Sequence, residues 1–134
     1  MRHSTLLVLV ALVAAVQMQE LSNRGVELFK QMYSSCLQKS NVNVTYALET
    51  FNGVVENEPK LKEFLFCSNK QNGFQDRRGN LRPDAVRRRL QNNVFIDSQT
   101  IETIVSECTE RKESPQETAY HFWKCSFKKV TGTA

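Results

Sequence analysis

The chain has 134 residues, of which 40% are hydrophobic and 24% charged, and its formal net charge is +4. This length suggests one domain, because two domains would each have too small a core. The charged fraction and the mixed apolar content argue against a wholly disordered or collagen-like chain.

The first residues have the pattern of a secretory signal peptide. A short basic start at Arg2 and His3 precedes an uninterrupted apolar run over residues 6–16. The run is too short to span a bilayer as a helix, and the absence of a polar face disfavours the alternative, a buried N-terminal helix. We therefore predict a signal peptide over residues 1–18, with cleavage between Ala15 and Gln19.

The remaining residues, 19–134, are predicted to form a single secreted domain. No later run of apolar residues is long enough for a membrane span. Loss of Arg2 reduces the 18 basic residues to 17, against 14 acidic residues, so the mature net charge is +3.

Helical spacing dominates the mature chain, and no segment alternates with period two over the length of a strand. We predict an all-α domain of about six short helices. The first helix is expected over residues 20–38, and the second is capped by Asn43 or Thr45 and ended by Gly53. The third helix is expected to start at Pro59 and the fourth at Pro83. The fifth is capped by Asp97 or Ser98, and the sixth starts at the Ser114 capping box. A polar loop is expected over residues 69–81.

Four cysteines lie in the mature chain, at positions 36, 67, 108 and 125. In an oxidising compartment an even number of cysteines indicates disulfides, and no closely spaced pair suggests a zinc site. Cys36, Cys67, Cys108 and Cys125 allow three pairings, among which the sequence alone does not choose.

Enzyme, metal and cofactor functions are not expected. No catalytic or metal-binding motif is present, and His121 is the single histidine of the mature chain, where a structural or exposed role is favoured over a pH sensor. Asn43-Val44-Thr45 is a glycosylation sequon, a short pattern that also arises by chance.

Six arginines crowd into residues 77–89. A nucleic-acid site is disfavoured because the chain is secreted, carries only a modest charge and has no interleaved aromatic residues there. A solvated helix face is the favoured interpretation, and attraction of anionic ligands or membranes to this face stays open.

The signal peptide, the six short helices and the cysteine spacing resemble the insect odorant-binding protein family, which includes pheromone and general odorant-binding proteins. Its main members have six cysteines. Cys67 resembles the third, which places the second at Glu63, and Cys125 resembles the sixth, which places the fifth at Gln116. These two positions are bridged to each other in the family, so their joint loss is typical of its four-cysteine, minus-C subgroup. The segment after Cys67, with Gly73 and Gly79, resembles the family's glycine-punctuated loop.

The resemblance implies Cys36–Cys67 and Cys108–Cys125 disulfides, helices around an internal apolar cavity, and reversible carriage of a small hydrophobic ligand such as an odorant or pheromone. Two features depart from the family: the chain is basic, and its tail after Cys125 has nine residues. A chemosensory receptor is a further candidate partner, and a monomer or weak homodimer is expected.

Apolar and aromatic side chains suit such a pocket, although core packing explains each of them singly. The residues that we predict to line the pocket are Leu48, Phe51, Phe64, Val86, Leu90, Ile104, Tyr120, Trp123 and Phe127. The alternatives to an odorant carrier are a carrier or defence protein of haemolymph or reproductive secretions, and a helical signalling protein.

Overall fold

The computed structural model describes residues 23–132. Its internal contacts define two units, one that ends at Ser34 and one that begins at Ser35, and each is described by itself. The predicted signal peptide, residues 1–18, lies outside the described residues. The predicted boundary between it and the domain over 19–134 therefore stays a prediction.

The first unit contains α1, which is helical over residues 23–32. Phe29 and Tyr33 are buried, and their ring centroids are 5.2 Å apart. The sequence predicts one helix over 20–38, but a turn residue, Tyr33, interrupts it, and α2 follows over Ser34–Ser40. The Tyr33 amide still donates to the Phe29 carbonyl (3.0 Å), so the interruption is a single residue in otherwise helical chain.

The predicted all-α fold is confirmed, with seven helical segments rather than about six among residues 23–132. After α2 the helices are α3 (Val44–Thr50), α4 (Pro59–Gln71), α5 (Pro83–Gln91), α6 (Ser98–Glu107) and α7 (Pro115–Thr131). Over the same described range, β-type pairing is limited to one isolated antiparallel bridge between Gln75 and Leu81. No helix within 23–132 has the length and apolar character that crossing a membrane requires.

The local signals in the sequence set the starts of these helices. Asn43, Asp97 and Ser114 each accept a hydrogen bond from a first-turn amide, at 2.8, 2.7 and 3.0 Å. Proline occupies the first turn of α4, α5 and α7, where its missing N–H costs nothing. The cap of α4 was not predicted: the Glu58 carboxylate accepts from the Leu61 amide at 2.7 Å.

One buried cluster of the second unit forms where α5, α6 and α7 meet. We call its buried residues the core cluster: Leu81, Val86, Ile101, Ile104, Val105, Cys108 and Phe122. The α6 members follow helical spacing, which places them on one face and explains why this short amphipathic helix is stable only when packed.

Two disulfides connect the helices in the pairing that the family resemblance implies. Cys36–Cys67 joins α2 to α4, and Cys108–Cys125 joins the end of α6 to α7. The bridges close loops of 31 and 17 residues, and the chain-entropy account assigns about 3–4 kcal/mol to each such loop. Covalent constraint thus supplies a large part of the stability of a domain this small.

The loop after α4 is held against the start of α7 by a close approach at Gly79. Gly79 has φ +93°, and a Cβ added there would lie 2.5 Å from the Pro115 Cβ. Only glycine has room at this contact and adopts this backbone conformation without strain.

Gly79→Ala is expected to lower the free energy of unfolding by about 2–4 kcal/mol, because it adds both backbone strain and a steric clash. Urea unfolding followed by circular dichroism measures the change. Gly73→Ala is the matched control: Gly73 also has positive φ (+80°), but no atom lies within 4 Å of its added Cβ, so we expect a loss of only about 1 kcal/mol. Equal losses in the two variants would show that the Pro115 contact does not matter.

Candidate ligand-binding site

Five aromatic rings from three segments meet beside the core cluster. We call Phe51, Phe74, Phe122, Trp123 and Phe127 the aromatic cluster. The Trp123 ring lies 6.1 Å from Phe51, 5.9 Å from Phe122 and 5.8 Å from Phe127, and Phe74 lies 5.7 Å from Phe122. Tilted and edge-to-face arrangements at these distances are the favourable ones for aromatic pairs. Trp123 is therefore the centre of an apolar surface built from α7, the end of α3 and the loop after α4.

A buried hydrogen bond fixes the Trp123 ring. Its indole Nε1 donates to the Asn69 Oδ1 at 2.9 Å, and Asn69, on α4, is fully buried. The Asn69 Nδ2 donates in turn to the Gln75 Oε1 at 2.9 Å. Because both amides are satisfied, their burial is tolerated, and the indole has one preferred orientation.

Gln75 extends this network to the start of α7. Its Nε2 donates to the Gly79 carbonyl (2.8 Å) and to the Pro115 carbonyl (2.9 Å). The main chain supports the same geometry, since the Phe74 amide donates to the Asn69 carbonyl at 2.9 Å. The segment predicted as a polar loop is thus well packed, and its buried polar side chains form hydrogen bonds in the protein interior.

Six of the nine predicted lining residues come together around this surface. Val86 and Ile104 belong to the core cluster, and Leu90 and Trp123 pack against it. Phe51 and Phe127 reach the same place through their ring contacts with Trp123. Their role in binding stays a prediction, since the structure places them side by side without a ligand.

The other three predicted residues lie on α3, α4 and α7. Leu48 is half-buried one turn before Phe51, and Phe64 is buried on α4. The half-buried Tyr120 ring faces two amino groups, with the Nζ atoms of Lys62 and Lys124 at 4.8 and 5.5 Å from its centroid. Its surroundings are more polar than those of Trp123.

Sequence reasoning did not include Phe74, Phe122 and Asn69 in the site. Phe122 carried a signal, because it lies on α7 beside Trp123. Phe74 and Asn69 carried none, since the composition of their segment is polar. Three grooves on the described surface, near α1, near Cys36–Cys67 and beside α5, are lined by none of the nine predicted residues.

Polar side chains join α4 to α7 at the two positions where the family resemblance places a missing disulfide. The Gln116 Nε2 donates to the Glu63 Oε2 at 2.8 Å. Next to this pair, Lys62 and Glu117 form an ion pair, with side-chain exposures of 15% and 31%. We call these four residues the polar clasp. They connect the two helices without a covalent bond.

His121 lies on α7 on the solvent side of the core. Partial burial lowers the pKa of its imidazole, and the nearby positive charge of Lys112 adds to the effect. Asp97 and Glu102 lie at the surface, and hydrogen bonds to their carboxylates, from Thr100 and Arg87, lower their pKa values. Within residues 23–132, His, Cys, Asp and Glu side chains form no group of three suited to a metal ion.

Comparison with known proteins identifies the family. The sequence profile of the PBP/GOBP family matches residues 18–129. The chain belongs to the PBP/GOBP family. Proteins of this family bind small ligands and are not enzymes, which agrees with a site that consists of aromatic rings and buried amides. The two disulfides confirm the four-cysteine form of the family.

Relatives of known identity come from a beetle. The B1 protein of Tenebrio molitor is 29% identical over 120 residues, which cover 90% of this chain and 92% of the relative. The B2 protein of the same species is 28% identical over 118 residues, covering 88% and 91%. Among solved structures, the THP12 carrier protein from yellow meal worm is similar, with a TM-score of 0.57 and 28% identity, over 68% of this chain and 83% of that one.

The lowered pKa of His121 predicts how the free energy of unfolding depends on pH near neutrality. Its folded-state pKa is below the unfolded value of about 6.5, so the unfolded chain binds more protons below that pH. Stability is therefore expected to decrease as pH falls through about 6.5, and His121→Gln should flatten this dependence. Urea midpoints at about pH 7.5 and 5.5 measure it. An equal decrease in both proteins would assign the effect to other groups.

Proposed function

We propose that this PBP/GOBP protein is a secreted carrier that binds a small hydrophobic molecule, such as an odorant or a pheromone, reversibly against the aromatic cluster. The observation that supports this most directly is the position of Phe51. Its side chain packs edge-on against Trp123, yet Phe51 is 47% exposed. A half-exposed ring in contact with Trp123 is a natural part of the site for a ligand to meet.

The energy for binding comes from removing apolar surface from water. Each Å² of apolar surface buried contributes about 25 cal/mol to binding. The loss of translational and rotational entropy of the ligand opposes this gain. For a molecule of odorant size the balance corresponds to a Kd in the range of about 1 μM. No bond is made or broken, so the ligand leaves unchanged.

We infer that a ligand enters by a local opening of the site. The end of α3 is the simplest part to move. Phe51 is the C-cap of this seven-residue helix. Gly53 follows two residues later and lies close to Phe127: a Cβ atom added to Gly53 would be 3.7 Å from the Phe127 ring. Short helices have little stability of their own, so a shift of this segment uncovers Trp123 at low cost.

The polar clasp determines how far α4 and α7 can separate. The Glu63–Gln116 contact stands where the family resemblance places a covalent bond, and the Lys62–Glu117 ion pair lies beside it. Hydrogen bonds and partly exposed ion pairs contribute about 1 kcal/mol each and reform quickly. We therefore infer faster exchange and a broader range of ligands than in a relative with the third disulfide.

Trp123 is the single tryptophan of the chain and serves as an internal probe of the proposed site. Titration with apolar ligands, checked by displacement of a fluorescent apolar dye, is expected to change Trp123 emission with a Kd of about 1 μM. Phe51→Ala should weaken binding about tenfold, because an aromatic contact with the ligand is lost.

Phe95→Ala is the matched control for this substitution, since Phe95 is 92% exposed and lies on the turn after α5. It should leave the Kd unchanged. If no apolar ligand displaces the dye or changes Trp123 emission, the carrier function is wrong. If Phe51→Ala and Phe95→Ala bind alike, the ligand lies away from Phe51.

A covalent bridge in place of the clasp should slow ligand exchange. Glu63→Cys combined with Gln116→Cys is expected to form a disulfide, because the family resemblance places the cysteines of the missing bridge at these two positions. We expect dye release about tenfold slower in stopped-flow measurements, and a narrower range of ligands, since α4 and α7 can no longer separate.

The control replaces the same two residues by serine, which removes the native hydrogen bond without adding a bridge and should speed release. Mass spectrometry of the intact protein establishes whether the bridge forms. Unchanged release and selectivity in the bridged protein would contradict the role given to the clasp.

A further inference from the structure

Arginines on α5 and at its N-cap lack carboxylate partners within the described residues. Arg82, Arg88 and Arg89 line a groove of about 280 Å³ together with Asn72, Gly73, Ala85 and Asn92. Among residues 23–132, no carboxylate lies within ion-pair distance of these three guanidinium groups. Arg89 donates from Nε and one terminal nitrogen to the Asn72 carbonyl, at 3.3 and 3.2 Å, which fixes the orientation of its guanidinium.

Arg87, on the same helix, shows the opposite situation. Its guanidinium donates to both oxygens of Glu102, at 2.8 and 3.2 Å, and to Asp84 at 3.1 Å. The pKa of Arg87 is raised by these contacts with Glu102 and Asp84. Two carboxylates thus satisfy Arg87, whereas Arg82, Arg88 and Arg89 present positive charge to solvent.

An exposed apolar turn continues directly from this groove. Asn92 lines the groove and caps α5, and the next residues fold back on the helix end: the Asn93 amide donates to the Leu90 carbonyl at 3.0 Å. The Phe95 amide donates to the Asn93 Oδ1 at 2.9 Å. Ile96 packs against the core cluster, whereas Val94 and Phe95 are 89% and 92% exposed.

This exposure is unusual because a soluble domain gains stability by covering such residues. Val94 and Phe95 are the two most exposed of the large hydrophobic side chains in the described part of the chain. Hydrogen bonds to Asn93 and the anchor at Ile96 hold them outward. Asp97, two residues beyond Phe95, accepts from the Thr100 amide as the cap of α6, so its carboxylate is engaged locally.

We propose that α5 and the turn after it dock on the surface of an anionic phospholipid bilayer. Arg82, Arg88 and Arg89 contact lipid phosphate and carboxylate groups, and Phe95 and Val94 insert among the upper acyl segments. Unpaired basic residues beside exposed aromatic and aliphatic residues have the chemistry of an interfacial membrane site. A free phosphate could occupy the arginine groove, but it would not use the apolar turn, and this favours the bilayer.

The docking surface is separate from the proposed ligand site. Val86 and Leu90, on the opposite side of α5, face the core cluster. Binding to membranes can therefore be measured without any apolar ligand, and failure of one proposal leaves the other standing.

Co-sedimentation with vesicles tests the proposal on the whole mature chain. We expect binding to phosphatidylcholine vesicles that contain about one third phosphatidylserine, little binding to phosphatidylcholine alone, and release in about 1 M salt. Arg82→Gln combined with Arg88→Gln should weaken binding about 25-fold, because each basic residue near an anionic surface contributes about fivefold. Phe95→Ser should weaken it about tenfold.

Arg87→Gln is the control, since it removes the same charge from the same helix at a position that carboxylates already neutralise. It should bind vesicles like the native protein, and circular dichroism establishes that all variants are folded. Absence of binding to the anionic vesicles would overturn the proposal, as would an equal loss in Arg87→Gln and in the single variant Arg88→Gln. A thermal shift with inorganic phosphate but no vesicle binding would show a free-anion groove instead, and full binding by Phe95→Ser would rule out insertion.

Discussion

The buried amide of Asn69 connects the parts of the structure on which binding depends. It accepts from the Trp123 indole and donates to Gln75, which reaches the carbonyls of Gly79 and Pro115. A buried amide left without partners would cost about 1–3 kcal/mol, so α4, the loop after it and α7 must keep this arrangement together. The consequence is a tryptophan with a fixed position, against which the end of α3 packs through Phe51.

The cross-links between helices are unequal, and the difference has a functional meaning. Disulfides tie α2 to α4 and α6 to α7, whereas α4 and α7 are held to each other by packing, the Asn69 network and the polar clasp. The α4–α7 contact can therefore loosen without breaking a covalent bond. Under the proposed function, such a contact lets ligands reach and leave the aromatic cluster.

Much of the fold could be predicted from the sequence, because the signals for it are local. Asn43, Asp97, Ser114 and the three prolines determine where helices begin through contacts within one turn, and the α6 pattern identifies its buried face. The site was predicted less completely. Asn69 and Gln75 look like loop residues, since nothing in their local pattern shows that partners 54 and 40 residues away will bury them. In the sequence, Tyr120 and Trp123 look like equivalent lining residues of α7. The Tyr120 ring nevertheless lies near two lysines, and one of them comes from α4, so its polar surroundings could not be seen in the local pattern.

The distribution of charge on α5 follows from the same separation of faces. Val86 and Leu90 pack against the core cluster, so the arginines must occupy the remaining arc of the helix. Solvation alone would explain why six arginines occur within thirteen residues. It would not explain which of these arginines have carboxylate partners. In the structure, Arg87 faces α6 and is paired with Glu102. The groove beside Asn92 is instead lined by three arginine side chains and leads to the exposed Phe95. Stability accounts for the first arrangement, and the proposed membrane contact accounts for the second.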